Sequence, residues 1–160
     1  MIIGNGSIAS MLNDRDGVLF FASGVPDSSC TAHKPFGREY TLLQSHLGTD
    51  KMFVYFSTIS VFTTNSVYTM HKLFFEDVIK AKAKNYTIIR LGNVYGDTNK
   101  HTFQNAIKAR REAGQPVYVR DEYKYMITKD QINLITDNLP LTGKHEICIF
   151  GEMKKVKDLI

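Results

Sequence analysis

The chain has 160 residues, 43% of them hydrophobic and 22% charged, a formal charge of +4 and two cysteines. That length fits one domain with a real core and excludes a second full-sized one, and the balance is that of a globular protein rather than a disordered or fibrous one. The small basic excess suits a phosphate-bearing ligand and is too weak for nucleic acid; Cys30 and Cys148 show no metal-site spacing, and no apolar run is long enough to span a membrane.

The elements alternate along the chain. Met1 to Ile3 is the stub of a strand, turned by Gly4-Asn5-Gly6 into a short helix near Ser7 to Leu12. Val18 to Ala22 is a continuous apolar run of strand length, the pattern of a buried parallel strand, closed by Gly24, Pro26 and Asp27. A helix follows over Phe36 to Leu47, ended by Gly48, and Met52 to Phe56 is a second buried strand. Apolar and lysine residues at helical spacing predict a helix over Val67 to Lys84. Thr87 to Leu91 is a third strand, stopped by Gly92-Asn93. Beyond it come a helix over Thr102 to Ala113, short strands at Pro116 to Val119 and Tyr125 to Thr128, and a helix over Asp130 to Leu139. A last strand at Glu146 to Phe150 precedes a partial helix at Val156 to Ile160. This alternation predicts a parallel sheet with helices on both faces and ligands beyond the carboxyl ends of its strands. The N-terminus lacks the pattern of a signal peptide, so a cytoplasmic protein with reduced thiols is expected.

Tyr68 and Lys72 stand one helical turn apart, after a strand-like run that ends in Ser57-Thr58. A phenol beside an ammonium can carry a proton near neutral pH, and a hydroxyl at the strand end can hold a substrate oxygen. The constellation suggests redox chemistry on an alcohol or ketone. A free phenol has a pKa of about 10, so acting as a base at neutral pH requires roughly 4 kcal/mol of preference for phenolate. Lys72, at i+4, supplies part of that stabilisation. The five histidines show no metal spacing; surface positions are expected for all of them, with His71 pointing away from Tyr68.

These segments, in order, resemble the extended short-chain dehydrogenase/reductases: Gly4 to Ser10, Val18 to Gly24, Phe53 to Phe62, Tyr68 to Lys72 and Ile89 to Gly96, with weaker likeness over Tyr125 to Leu139 and Glu146 to Ile160. The resemblance implies a Rossmann-like α/β fold, with residues 1–99 as a cofactor-binding core and 100–160 as a reduced substrate-side region. It implies NAD or NADP as cofactor and a nucleotide sugar as substrate. Tyr68 would be the acid or base, Lys72 its tuner and ribose ligand, and Thr58 the hydroxyl that orients the substrate oxygen. Gly4, Asn5, Gly6, Ser7 and Ile8 would border the pyrophosphate, where backbone turns tightly and free amides point at negative charge. Ala22, Ser23, Leu91 and Gly92 would border the cofactor, and Asn93 the substrate. The glycines read GxGxxA, with Ile3 and Ala9 at the outer positions, instead of the family's GxxGxxG.

Sugar dehydratases of that family carry an Asp-Glu pair after the threonine, where this chain has Ile59 and Ser60, so an epimerase or ketoreductase is expected. The acidic residue that reads the adenosine ribose about 20 residues after the glycines is missing, because Val18 to Ala22 matches the family's fourth strand rather than its second. Two strand-helix units are absent, which leaves the adenine half of the cofactor poorly enclosed and the first strand at a sheet edge. A homodimer is expected, either at that edge or through the helices beginning near Phe36 and Val67. A non-catalytic nucleotide-binding or regulatory module is the alternative.

Overall fold

A computed structural model describes residues 1–25, 27–96, 102–117 and 121–159 of the chain. Five strands form one parallel sheet: β1 (Ile2–Ile3), β2 (Val18–Phe21), β3 (Met52–Thr58), β4 (Tyr86–Leu91) and β7 (Lys144–Ile149), in the order β1-β2-β3-β4-β7. The register pairs Phe20 with Val54, Tyr55 with Ile88, and Ile89 with Ile147. Between them lie helices α1 (Ser7–Met11), α2 (His33–His46), α3 (Val67–Lys82), α4 (Phe103–Glu112) and α5 (Lys129–Thr136). The fold is a Rossmann-like sheet from which two strand-helix units are missing, so β1 pairs directly with β2 and forms an edge.

Strand periodicity assigns the core to two layers. Val18, Phe20, Met52, Val54, Phe56 and Ile89 point to one face, where Met11 and Leu12 at the end of α1 and Ile132 of α5 cover them. Leu19, Phe21, Phe53, Tyr55 and Ile88 point to the other, against Leu43 of α2 and Phe75 and Ile79 of α3. Helices therefore cover both faces. β2 and residues Met52 to Phe56 of β3 read as unbroken apolar runs because neither side meets water. Each of these fully buried side chains contributes roughly 1.5–3 kcal/mol of burial free energy.

Helix ends are set by local bonds. Ser66 and Thr69 form a reciprocal capping box at the start of α3, and Thr128 and Gln131 form one at α5. The expected helix ends shorten by one to three residues, while α2 begins three residues earlier than expected, at His33.

A second sheet is an addition to the sequence reading. Its strands are β5 (Asn93–Val94), β6 (Tyr123–Ile127) and β8 (Glu152–Lys155), in the order β5-β6-β8, with β6 and β8 antiparallel. Gly92 lets the two sheets meet, since a Cβ there would lie 2.6 Å from the Phe150 carbonyl oxygen and 2.9 Å from that of Tyr125. The strand expected at Pro116 to Val119 is not formed by Pro116 or Val117, and Tyr118 and Val119 lie outside the described residues, as do Pro26 and His101. The expected last helix is a 3-10 turn over Val156–Leu159, and Ile160 lies outside the described residues. Among the described residues no helix is long and apolar enough to cross a membrane, and no cluster of three or more His, Cys, Asp or Glu could hold a metal ion.

Candidate active site

The carboxyl ends of β1 to β4 open on a cleft of about 830 Å3. Chain order explains its walls. Each strand stops at a small or polar residue, and the segment that follows turns outward over the sheet edge, which is where α/β sheets place ligands. Asn5 to Ile8 follow β1, Ala22 to Val25 follow β2, Ser57 and Thr58 end β3, and Leu91 to Val94 span the end of β4 and the start of β5. Tyr68 and Lys72 enter from α3.

The capping box places Tyr68 in the first turn of α3 and Lys72 one turn later on the same side. The Lys72 ammonium nitrogen lies 5.8 Å from the centre of the Tyr68 ring and 4.9 Å from that of Tyr55. It donates to the Phe56 carbonyl at 3.2 Å. Only 5% of Lys72 is exposed, and such burial by itself favours the neutral amine; Tyr55, Tyr68 and Glu39 outweigh it and hold the amine above the usual lysine range. Burial also pushes the Tyr55 phenol well above its usual value, so Tyr55 stays a neutral hydroxyl.

Two hydroxyls at the end of β3 differ in what they are free to do. Ser57 donates its proton to Glu76 Oε1 at 2.6 Å, so it has none to give a ligand. Thr58 Oγ1 accepts from the Ser60 amide at 3.2 Å, which leaves its own proton free to donate into the cleft. Asn93 lines the cleft from β5 while its side-chain amide donates to the Tyr125 carbonyl at 3.2 Å.

The glycine turn divides its residues between two tasks. Gly4 has φ +126° and packs on β2, with a Cβ there falling 2.6 Å from the Ala22 carbonyl oxygen, so it shapes the turn and is not part of the cleft wall. Gly6 borders the cleft, and a Cβ built on it meets nothing within 4 Å. Asn5, Ser7 and Ile8 line the cleft beside Gly6, as do Ala22, Ser23, Leu91 and Gly92. Among the described lining residues three are cations, Arg38, Lys72 and Lys124, and none is a carboxylate. A cleft so charged, with open backbone at its glycine turn, fits a ligand that carries phosphates.

Buried charges around the site were not foreseen. Glu76, 1% exposed, accepts from Ser57 and from Arg90 Nε at 3.0 Å, and Arg90 also reaches Glu146 Oε2 at 2.8 Å. Glu39, also 1% exposed, lies behind Lys72. The surface position expected for His71 is corrected: its side chain is 10% exposed, stacked 4.2 Å from the Phe36 ring and 4.1 Å from the Phe75 ring, with Nε2 3.0 Å from Glu39. It faces inward because the third position after Tyr68 returns to the side of α3 that packs on α2. His46 and His145 are half-buried rather than exposed, and His33 is exposed.

No family model matches the sequence, and no curated protein is similar to it. Solved structures are. The Bordetella bronchiseptica enzyme WbmH in complex with NAD+ matches with TM-score 0.69 and 15% identity over 89% of this chain and 55% of its own. Pen from Bacillus thuringiensis matches at 0.68 and 17% over 96% of this chain and 51% of its own. The UDP-glucose 4-epimerase of Thermus thermophilus, in complex with NAD, matches at 0.60 and 14% over 89% of this chain and 59% of its own. The chain shares their fold. It spans little more than half the length of each of these structures.

Proposed function

We propose that the cleft binds NAD or NADP and that the chain is a shortened extended short-chain dehydrogenase/reductase, acting on a nucleotide sugar as an epimerase or ketoreductase. The observation that carries this reading is the convergence of Tyr68, Lys72, Thr58 and the glycine turn on one cleft at the carboxyl edge of the sheet. Gly6, Asn5, Ser7 and Ile8 would hold the pyrophosphate, Ala22, Ser23, Leu91 and Gly92 would border the rest of the dinucleotide, and Lys72 would hold the nicotinamide ribose. When bound, the dinucleotide supplies a hydride acceptor or donor.

The chain's own residues handle the proton. Tyr68 takes it from, or returns it to, the sugar hydroxyl at its phenolic oxygen, and the Lys72 ammonium stabilises the charge that this leaves on the phenol. Thr58 donates to the same substrate oxygen and orients it, and Asn93 borders the sugar. Support for the cofactor and substrate classes comes from similar structures: WbmG of Bordetella bronchiseptica was solved with NAD and UDP, and an RMD from Pseudomonas aeruginosa with NADPH.

Tyr68→Phe tests the reading. It removes the proton carrier and keeps the ring, so turnover of a nucleotide sugar should fall roughly 10²–10⁴-fold while NADH or NADPH still binds in a fluorescence titration. Unchanged turnover overturns it. A second reading, a nucleotide-binding or regulatory module without turnover, is favoured by the open β1 edge where two strand-helix units are missing. Absence of dinucleotide binding at millimolar concentration rejects the enzyme.

A homodimer belongs to the same proposal. Val67, Met70, Leu73 and Phe74 of α3 are exposed apolar side chains beside α2, and covering them with a second copy removes that face from water. Light scattering that finds only monomer rejects the dimer.

A further inference from the structure

Glu39 lies in the second turn of α2, at the back of the cleft, with its two oxygens serving different partners. Oε2 accepts from the Val25 amide at 3.2 Å and faces His71 Nε2 at 3.0 Å. Oε1 has no hydrogen bond and stands 3.8 Å from the Lys72 ammonium nitrogen. We propose that Glu39 is a positioning residue for Lys72: it holds the ammonium protonated and in place below Tyr68, and it ties that ammonium through Oε2 to His71 on the side of α3 away from the cleft. The place of Lys72 in the chemistry rests on the function proposed above; the control of its charge by Glu39 does not.

The groups that face Lys72 come from three elements. Glu39 comes from α2, Tyr55 from β3, and Tyr68 and, through Glu39, His71 from α3. Tyr55 is a neutral phenol held in that form by burial, so among the groups that favour the ammonium, Tyr55, Tyr68 and Glu39, the carboxylate is the one that brings a full negative charge. The geometry also differs from that of a structural ion pair in the same molecule. Glu76 and Arg90 close to hydrogen-bond distance, at 3.0 Å for Nε and Oε1. Glu39 and Lys72 stop at 3.8 Å, which leaves a buried oxygen without a donor and leaves the ammonium its bond to Phe56 and its access to the cleft.

Lysine acylation reports the charge because only the neutral amine reacts, and since burial also slows Lys72, the change in its rate between wild type and variant is the quantity that reads the charge. The intact chain is treated with an amine-reactive ester at neutral pH and each lysine's rate is read by mass spectrometry, with Lys84, 73% exposed, as internal reference. Relative to Lys84, Lys72 should react slowly in the wild type, about tenfold or more faster in Glu39→Gln, and at the wild-type rate in Glu39→Asp, since each pKa unit is tenfold in neutral amine. An unchanged ratio in Glu39→Gln overturns the proposal, and so does a rise shared by all lysines, which reports loosened structure. Should Glu39→Gln not fold, the wild-type pH profile decides: Lys72 should begin to react at higher pH than Lys84, and a coincident or lower onset overturns the proposal. A dinucleotide titration on the same samples separates the two claims. A raised Lys72 rate in Glu39→Gln with no dinucleotide bound by the wild type rejects the function and keeps the role of Glu39, and the converse result rejects the role and keeps the function.

Discussion

The two ends of the cleft are built differently. At the β3 and α3 end a chain of bonds fixes the side chains: Ser57 bonds to Glu76, Glu76 to Arg90, Arg90 to Glu146, and Lys72 to Phe56, while Glu39 Oε1 and the Tyr55 hydroxyl are the buried atoms there without a hydrogen bond. At the β1 end a two-residue strand forms the sheet edge, Gly6 stands in open space, and Arg38 projects from α2 with no hydrogen bond or ion pair from its guanidinium among the described residues. Chemistry that moves a proton needs groups fixed to within tenths of an ångström, whereas holding a long flexible ligand tolerates a loose wall. The fixed side chains thus gather at one end of the cleft and the open backbone at the other.

The sharpest way to break that contrast is to remove the centre of the rigid end. Glu76→Ala would leave Ser57 without its acceptor and take from Arg90 its buried carboxylate, with the 40%-exposed Glu146 as the carboxylate that remains, and breaking a buried pair costs up to roughly 3–5 kcal/mol. That is a large share of the roughly 5–15 kcal/mol expected for a whole domain. Urea denaturation should show the midpoint falling steeply, and a loss below about 1 kcal/mol would mean that the wall does not depend on this carboxylate.

The open end should respond weakly. Arg38→Ala removes the unpaired cation of the cleft wall, and a solvent-exposed ion pair with a phosphate is worth at most about fivefold in affinity at low salt. Titration of NADPH in about 50 mM and 500 mM salt should show the difference between wild type and variant shrinking as screening sets in. A loss of a hundredfold would show that the β1 end encloses its ligand after all, and that α2 takes the place of the missing strands.

Much of this was legible in the sequence, for a physical reason. β2 and residues Met52 to Phe56 of β3 are apolar runs with no polar interruption, and Tyr68 and Lys72 sit at i and i+4 on a helix, so the buried strands and the place of the cleft at their carboxyl ends follow from local pattern. Glu39, Glu76 and Arg90 escaped because their partners lie far off in the chain: Glu39 meets His71 across 32 residues, and Arg90 meets Glu146 across 56. A carboxylate in a helix ordinarily reads as a solvated face. A signal was nevertheless present, since Glu39 falls between Phe36 and Leu43 on the buried stripe of α2, and Lys72 and Glu76 share the stripe of α3 with Ile79. Charges on an apolar stripe must find partners inside, which is a prediction of a network even where its members cannot be named. The second sheet escaped for another reason: β5 has only two residues, too few to show a period.

Glu146 sharpens the comparison at its smallest scale, because it serves the same arginine as Glu76 from the other side. Its side chain is 40% exposed against 1% for Glu76, so water screens its pair with Arg90 and with Lys80, 3.0 Å away. Burial is the largest single influence and would raise the pKa, but the bonds and charges of Lys80 and Arg90 together prevail and hold the carboxyl below the usual 4.5. A carboxyl depressed in the folded state adds stability that is present above that usual value and is lost as pH falls through the folded one. Glu146→Gln should therefore lower the melting temperature by roughly 2 °C at pH 7, and that difference should shrink as pH falls through the folded-state value. A pH-independent drop would instead assign Glu146 a packing role, and a drop as large as that for Glu76→Ala would mean that exposure does not separate the two carboxylates that flank Arg90.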